Sequence, residues 1–195
     1  MKRIAIIDLG TNTFNLLIID KAVNGFKEVY STKFGVGLGL GGINENRIHE
    51  DAIVRGIDTL KTYKEKALQL KATRIYAFGT SAIRNAGNKY EFLNKVKIEV
   101  GLDVEVISGE REAKLIYKGV ILELKNKEDF IVMDIGGGST EFIVGNKTEV
   151  FHSASFEIGA SRIYQAFNFS DPYTQEDCQR IETYLEKGVG DFFES

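Results

Sequence analysis

The sequence predicts an α/β protein in which a β-β-β-α unit occurs twice. One observation is an internal repeat, since the same order of apolar strand, aspartate, glycine-rich turn and return strand occurs at two places 126 residues apart. A second is the alternation of strand-like and helix-like hydrophobic patterns between these places. The composition, with 43% hydrophobic and 27% charged residues, is that of a globular chain. Alternating strands and helices form a sheet covered by helices, so two lobes of this kind are expected.

The first lobe is predicted to span residues 1–125. Three apolar runs separated by short polar turns are predicted as antiparallel strands, at residues 4–9, 14–19 and 26–32. Polar start signals at residues 46–51 precede a helix whose apolar residues recur on one face up to Leu70. Strands and helices then alternate, at residues 74–78, 88–100, 104–107 and 110–124. The predicted order is therefore βββαβαβα.

The second lobe is predicted to span residues 126–195 and to begin in the same way. Its three strands and single helix are expected at residues 130–135, 142–144, 149–155 and 175–187. These 70 residues are too few for a lobe that matches the first, so the second lobe is expected to be incomplete and the chain to be a truncated form of a longer two-lobe protein. A sheet edge left unpaired in this way is expected to favour a homodimer.

Composition and charge argue against several classes of protein. The formal net charge of -3 argues against a protein that binds nucleic acid through bulk positive charge. Apolar stretches such as Ile4–Ile7 end after four residues, so neither a membrane span nor a secretory signal is expected. Cys178 is the single cysteine, which excludes an intramolecular disulfide and a cysteine-based metal cluster. A reducing cytoplasm is the expected location.

Asp8 and Asp134 each end a predicted strand immediately before a turn of glycine and hydroxyl residues. Strand ends of this kind are where α/β sheets place ligands. Glycine N–H groups can bind phosphate oxygens, and a carboxylate can hold a Mg²⁺ ion that bridges those oxygens. The candidate phosphate-binding residues of the two turns are Gly10, Thr11, Asn12, Gly136, Gly137, Gly138 and Ser139. Either turn alone could be an ordinary hairpin with an aspartate cap, but the repetition of the pattern favours a phosphate site.

Polar residues at other strand and helix ends complete the candidate site. Glu141 lies on the strand that returns beside Asp134, so its carboxylate can reach the same metal ion; the alternative is a solvent-facing residue. Glu112 lies in the first turn of a predicted helix, where a carboxylate can either cap the helix or act as a general base on water. Ser81 and Arg84 follow another strand, and Arg84 is either a bidentate phosphate ligand or a surface residue near a helix start.

Gly37, Gly39 and Gly42 match the G-x-G-x-x-G pattern of dinucleotide-binding proteins. The match follows the third strand rather than the first, and polar residues separate it from the next helix, so we reject this interpretation. A mobile glycine flap is predicted instead. No Walker A pattern occurs, and the spacing of His49 and His152 does not suit a metal site.

Taken together, these motifs resemble those of the exopolyphosphatase and guanosine pentaphosphate phosphohydrolase (Ppx/GppA) family, which belongs to the actin-like ATPase superfamily with its ribonuclease H-like fold. The resemblance extends over essentially all 195 residues, in the same order. The matching segments are residues 8–13, 80–84 with Asn88, 107–113, 134–141, and Gly159 with Arg162. The resemblance implies an actin-like fold of two lobes, the second of which continues well past residue 195 in the family.

The resemblance also implies roles for the candidate residues. Glu112 is the implied catalytic base, Arg84 and Ser139 are implied to hold the phosphate, and the implied Mg²⁺ ligands are Asp134 and Glu141, with Asp8 as a further candidate. The chain departs from the family pattern at three places, which are Thr11 and Thr13 in place of serines, Arg111 where a second glutamate is common, and Gly37 and Leu40 where a basic and an acidic residue are common.

The implied function is a Mg²⁺-dependent phosphohydrolase that releases the terminal phosphate of inorganic polyphosphate or guanosine pentaphosphate by attack of a glutamate-activated water. Both substrates present a terminal phosphoanhydride, so the motifs do not distinguish them. Neither nucleic acid nor a membrane is an expected partner. The alternatives are a non-catalytic regulator that binds polyphosphate or the alarmone and, less favoured, a phosphotransferase of the same superfamily, whose adenosine pocket would lie in the later part of the second lobe.

Overall fold

The structure is a computed structural model that describes residues 2–23, 25–125 and 128–193. Its contacts separate the chain into two units, Met1–Ser108 and Gly109–Ser195. The predicted boundary between residues 125 and 126 differs from this division. No helix within the described ranges is both long enough and apolar enough to cross a membrane.

The first unit contains a five-stranded sheet in the order β3-β2-β1-β4-β5. The strands are β1 (Lys2–Leu9), β2 (Thr13–Ala22), β3 (Gly25–Gly35), β4 (Arg74–Gly79) and β5 (Val104–Val106). Strands β1, β2 and β3 pair antiparallel through short turns, as the apolar runs and the polar turns between them predicted. Strands β4 and β5 continue the sheet in parallel with β1. The carboxyl ends of the parallel strands therefore meet at one edge of the sheet.

Helices of the first unit cover the sheet. They are α1 (Glu50–Gln69), α2 (Ser81–Asn85) and α3 (Lys89–Lys95), and α3 continues as a π-helical turn (Val96–Val100). This last turn stops at Gly101, whose φ of 68° is in the left-handed region that glycine adopts most easily. The short helix α2 was not predicted, because its five residues are too few to show a helical period.

The core of the first unit lies between α1, α3 and the sheet. Ile53 and Leu60 on the predicted apolar face of α1 are 1% and 0% exposed, so both side chains belong to the buried core. Gly56 lets α1 approach closely, because an added Cβ would lie 3.3 Å from the ring of Phe92 and 3.6 Å from that of Phe14. Burial of these large side chains, at roughly 25 cal/mol per Å² of apolar surface, is the main stabilising contribution here.

The second unit contains a three-stranded antiparallel sheet in the order β6-β7-β8. Its strands are β6 (Phe130–Ile135), β7 (Thr140–Gly145) and β8 (Val150–Phe156), and its helices are α4 (Gly109–Glu123), α5 (Ala160–Ala166) and α6 (Gln175–Val189), followed by a 3₁₀ turn (Gly190–Phe193). Helix α5 was not predicted. Helix α4 was expected to complete the first lobe, whereas it packs on β7 and β8, because Ala113 and Tyr117 form an apolar cluster with Ile143.

The other face of the second sheet carries aromatic residues. The ring of Phe142 on the central strand lies 6.0 Å from that of Phe156 and 5.7 Å from that of Phe192. Phe192 also stacks on His152 at 4.8 Å. Both faces of β7 are therefore covered, which explains why it is the most buried strand of this unit.

Helix α6 begins with a capping box. The Thr174 hydroxyl accepts a hydrogen bond from the Asp177 N–H, and the Asp177 carboxylate accepts one from the Thr174 N–H at 3.0 Å. The hydrogen bonds from Thr174 and Ser170 lower the pKa of Asp177 below its usual value. The cap turns Asp177 into the protein, where it is 3% exposed, whereas the neighbouring Cys178 is exposed.

Candidate functional site

The two glycine turns of the sequence repeat have the same backbone geometry. The Gly10 N–H donates to the Thr13 carbonyl at 3.1 Å, and the Gly136 N–H donates to the Ser139 carbonyl at 2.9 Å. A Cβ added at Gly10 or Gly136 would lie 2.7 or 3.0 Å from the same carbonyl oxygens. Each turn thus requires glycine at its first position, and the repeat inferred from the sequence exists as a repeated loop structure.

The second turn is held by its carbonyl groups. All three carbonyls of residues 136–138 accept hydrogen bonds from the beginning of α5. The donors are the Ala160 N–H at 2.9 Å, the Ser161 N–H at 2.8 Å and the Arg162 Nε at 2.8 Å. This arrangement directs the carbonyl groups toward α5 and leaves the N–H groups of Gly137 and Gly138 for other partners.

The N–H groups of Gly137 and Gly138 have no acceptor within the described part of the chain. Gly138 is buried, as is Ser139, which is 3% exposed. A buried backbone N–H without a partner is costly, and consecutive N–H groups on a glycine turn form an anion-binding concavity. The two N–H groups of this turn thus form an arrangement that suits an oxyanion such as a phosphate.

Arg162 and Gly159 support this turn. The Arg162 side chain is 8% exposed, and besides Gly138 it binds the Glu157 carboxylate at 2.9 Å. A Cβ on Gly159 would lie 2.5 Å from the carbonyl carbon and oxygen of Gly137. Sequence reasoning named both residues only through the family resemblance and missed their role, because hydrogen bonds to a loop more than twenty positions away leave no local pattern.

Asp134 and Glu141 lie directly opposite each other on β6 and β7, so their side chains share one face of the sheet. Glu141 is 2% exposed, and its Oε1 accepts a hydrogen bond from the Ser155 hydroxyl at 2.6 Å. The equivalent pair in the first unit is Asp8 and Asn15, joined by a hydrogen bond of 3.0 Å from the Asn15 amide to the Asp8 carboxylate. The second unit thus has two carboxylates where the first has a carboxylate and an amide.

This carboxylate pair suits Mg²⁺, which proteins commonly hold through one or two carboxylates together with water and phosphate oxygens. A group of three or more His, Cys, Asp or Glu side chains positioned to hold a metal ion does not occur among the described residues. The predicted ligands Asp134 and Glu141 are therefore brought together as a pair. Asp8 lies in the other unit and is already hydrogen-bonded to Asn15.

Glu112 lies in the first turn of α4, together with Glu110. Its side chain is half-buried, whereas Glu110 is exposed. Glu112 precedes Ile116 by one helical turn, and Ile116 packs on the apolar cluster between α4 and the sheet. The structure thus places this carboxylate at the border of the packed face of α4, a position compatible with either of the roles expected from the sequence.

In the first unit, the structure brings the first turn and the Ser81–Arg84 segment to the same edge of the sheet. Leu9 at the end of β1 lies opposite Gly79 at the end of β4, and the Thr80 N–H donates to the Leu9 carbonyl at 3.4 Å. Ser81 is 2% exposed at the start of α2. The Arg84 guanidinium donates to the Ile107 carbonyl at 3.3 Å, beyond the end of β5.

The glycine segment expected as a mobile flap is anchored to the first turn. The Gly37 N–H donates to the Asn12 carbonyl at 2.8 Å, and the Gly39 N–H donates to the Thr11 carbonyl at 3.0 Å. Leu38 between them is fully buried. The segment therefore supports the carbonyl groups of the first turn, much as the start of α5 supports those of the second.

Comparison with known proteins agrees with these features. The Ppx/GppA phosphatase family pattern matches residues 17–193. The guanosine-5′-triphosphate,3′-diphosphate pyrophosphatase of Photobacterium profundum is 36% identical over 169 residues, which is 87% of this chain and 34% of that protein. The crystal structure of an exopolyphosphatase from Cytophaga hutchinsonii is 41% identical, with a TM-score of 0.93 over 98% of this chain and 62% of that one.

A Ppx/GppA enzyme from Aquifex aeolicus is 37% identical, with a TM-score of 0.77 over 96% of this chain and 63% of that one. The chain thus spans about a third of the length of the curated relative and about three fifths of the solved structures. The predicted α/β fold is confirmed, and the chain shares its fold with the exopolyphosphatase structure. From the family match and these similarities, we conclude that the chain belongs to the Ppx/GppA phosphatase family.

Proposed function

We propose that this chain is the substrate-binding and catalytic portion of a Mg²⁺-dependent phosphohydrolase that releases the terminal phosphate of inorganic polyphosphate or guanosine pentaphosphate. The observation that carries this proposal is the second glycine turn, whose carbonyl groups are all hydrogen-bonded while the N–H groups of Gly137 and Gly138 find no acceptor among the described residues. The names of the relatives support both substrates.

In this proposal, the glycine turns and their neighbours bind phosphate oxygens. The N–H groups of residues 137 and 138 and the Ser139 hydroxyl hold one phosphate. In the first unit, the turn supplies the Thr11 N–H, since the Gly10 N–H already donates to the Thr13 carbonyl, and Ser81 and Arg84 supply a hydroxyl and a guanidinium. Charge-assisted hydrogen bonds of this kind are about twice as strong as neutral ones.

Asp134 and Glu141 would hold the Mg²⁺ ion, and Asp8 is the weaker candidate because the residue opposite it, Asn15, offers an amide rather than a second carboxylate. The ion would neutralise part of the charge that develops on the phosphoryl oxygens. The hydrogen bond from Ser155 fixes the orientation of the Glu141 carboxylate. A ligand positioned in this way loses little side-chain entropy when it binds a cation.

Glu112 is proposed as the general base. Its carboxylate accepts a proton from a water molecule whose oxygen attacks the terminal phosphorus. The new P–O bond forms as the phosphoanhydride bond breaks, and the products are orthophosphate and a chain that is shorter by one phosphate. A base of this kind contributes on the order of 10² to 10⁴ in rate.

The substitution Glu112→Gln tests this mechanism, with Glu110→Gln in the same helical turn as the matched control. We expect Glu112→Gln to lower phosphate release by about 10²-fold or more and to leave polyphosphate binding, measured by calorimetry, nearly unchanged. Glu110→Gln should behave like the parent chain. If Glu112→Gln hydrolyses polyphosphate within a few-fold of the parent, Glu112 is a helix cap and the mechanism is wrong.

The alternative is a non-catalytic protein that binds polyphosphate or the alarmone, and the same glycine turns would serve it, because binding a phosphate requires no base. Binding of polyphosphate without phosphate release by the parent chain would favour this alternative. Phosphate transfer from ATP to an acceptor would indicate a phosphotransferase. In each case we propose a cytoplasmic protein that forms a homodimer through the exposed face of β6.

A further inference from the structure

The first unit contains a pocket of about 300 Å³ between the edge strand β3 and helix α1. It is lined by Phe34, Arg55, Asp58, Thr59, Thr62 and Tyr63. None of these residues belongs to the candidate phosphate or metal site. The volume is at the lower end of the range typical of small-molecule sites.

The side chains of the pocket combine an aromatic ring with two opposite charges. Phe34 is 60% exposed, although aromatic side chains are normally buried. The Asp58 carboxylate has neither a hydrogen bond nor an ion pair within the described ranges of the chain. The Arg55 guanidinium is held in place, since its Nε donates to the Val36 carbonyl at 2.8 Å and its NH2 group donates to the Gly37 carbonyl at 3.3 Å.

This combination suits a guanine base. The Watson–Crick edge of guanine presents two adjacent donors, N1–H and the 2-amino group, which a single carboxylate can accept together. Adenine presents no such pair, and polyphosphate has no base. An exposed aromatic ring can stack on the base, which is worth about 1–3 kcal/mol in proteins that bind unpaired bases, and a guanidinium can donate to the O6 and N7 acceptors of guanine.

The pocket is also connected to the first glycine turn through a single residue. Gly37 accepts a hydrogen bond from Arg55 through its carbonyl, and its N–H donates to the Asn12 carbonyl of the turn at 2.8 Å. Phe34 lies opposite Phe14, the first buried residue after the turn. A base in the pocket and phosphates at the turn would therefore occupy neighbouring parts of the same unit.

We propose that this pocket binds the guanine base of a guanosine polyphosphate, with Asp58 as the residue that selects guanine and Phe34 as the stacking surface. This inference rests on the proposed function, because it identifies which of the two substrate classes the same chain is built to recognise. In this inference, the first unit has a site for the base of a guanosine nucleotide, a group that inorganic polyphosphate lacks.

The test compares the parent chain with Asp58→Asn, which keeps the size of the side chain but replaces one acceptor oxygen with a donor. Asp51→Asn, an exposed aspartate in the first turn of the same helix, is the matched control. Hydrolysis is measured with guanosine pentaphosphate and with inorganic polyphosphate, and binding of guanosine tetraphosphate is measured by calorimetry. We expect Asp58→Asn to weaken guanosine tetraphosphate binding and kcat/KM for the pentaphosphate by about 10-fold or more, because hydrogen bonds to a charged group are lost.

Polyphosphate hydrolysis by Asp58→Asn should remain within about twofold of the parent, and Asp51→Asn should change neither substrate. Equal guanosine tetraphosphate binding by the parent and Asp58→Asn overturns the inference while the proposed hydrolase function stands. If the parent releases phosphate from neither substrate, the proposed function fails, and the calorimetric comparison alone then decides the inference. An equal loss with both substrates in Asp58→Asn also overturns it, since the residue would then act on phosphate binding in general.

Discussion

The substitution Arg162→Met removes a guanidinium that holds the second glycine turn, and its cost can be worked out from the structure. The buried hydrogen bond from Nε to the Gly138 carbonyl has a charged donor, and bonds of this kind contribute about 1.5–3 kcal/mol. The ion pair with Glu157 adds about 0–1 kcal/mol, because the Glu157 side chain is 41% exposed. The Gly138 carbonyl keeps the hydrogen bond from the Gly159 N–H at 3.3 Å, so it does not become a buried acceptor without a partner.

We therefore expect Arg162→Met to lower the free energy of unfolding by about 2 kcal/mol, measured by urea denaturation. The turn should also lose part of its fixed geometry, which should raise KM for polyphosphate more than it lowers kcat. Arg180→Met is the matched control, since the Arg180 side chain is 43% exposed and its ion pair with Asp177 is 3.5 Å long. The reasoning is refuted if Arg162→Met unfolds within about 0.5 kcal/mol of the parent and keeps its KM, or if Arg180→Met shows the same loss.

Three further predictions concern the metal, the second turn and the sheet edge. Asp134→Ala should abolish Mg²⁺ binding in calorimetry whereas Asp8→Ala should weaken it little, and the opposite order would transfer the metal role to Asp8. Gly159→Ala should destabilise the chain by roughly 1–3 kcal/mol, because its Cβ would lie 2.5 Å from the Gly137 carbonyl. The control Gly119→Ala, whose Cβ would have nothing within 4 Å, should stabilise the chain by up to about 1 kcal/mol. Equal stabilities of the two variants would show that the turn is not packed on α5. Light scattering should detect a homodimer of the parent chain, and Met133→Lys should dissociate it, since Met133 is 56% exposed between two other exposed apolar residues of β6. A monomeric parent chain would contradict this prediction.

The elements of secondary structure could largely be predicted from the sequence. The strands of both units lie where apolar runs between polar turns predicted them, and α1, α4 and α6 lie where apolar residues recur on one helical face. These patterns are local, because a strand or helix needs only its own residues to show which side is buried. The two short helices α2 and α5 were missed, since five and seven residues give almost no period.

The two glycine turns of the candidate site could also be predicted from the sequence. The repeat of aspartate, glycine turn and return strand indicated both glycine turns, and the identical hydrogen bonds at Gly10 and Gly136 show that the repeat is structural. The roles assigned to Glu112, to Arg84 and to the metal ligands stay predictions. The structure adds that Asp134 has a second carboxylate opposite it, whereas Asp8 has an amide.

The sequence by itself determined the strands, the longer helices and the two glycine turns, because each depends on residues that are neighbours in the chain. Only the tertiary structure decided that α4 packs on the second sheet, that the glycine segment at residues 36–43 supports the first turn, and that Arg162 and Gly159 support the second. These contacts join residues that are about 20 to 30 positions apart. A hydrogen bond to a carbonyl far away in the sequence depends on how the fold brings the two residues together. Such a bond leaves no periodic pattern in the sequence from which it could be predicted.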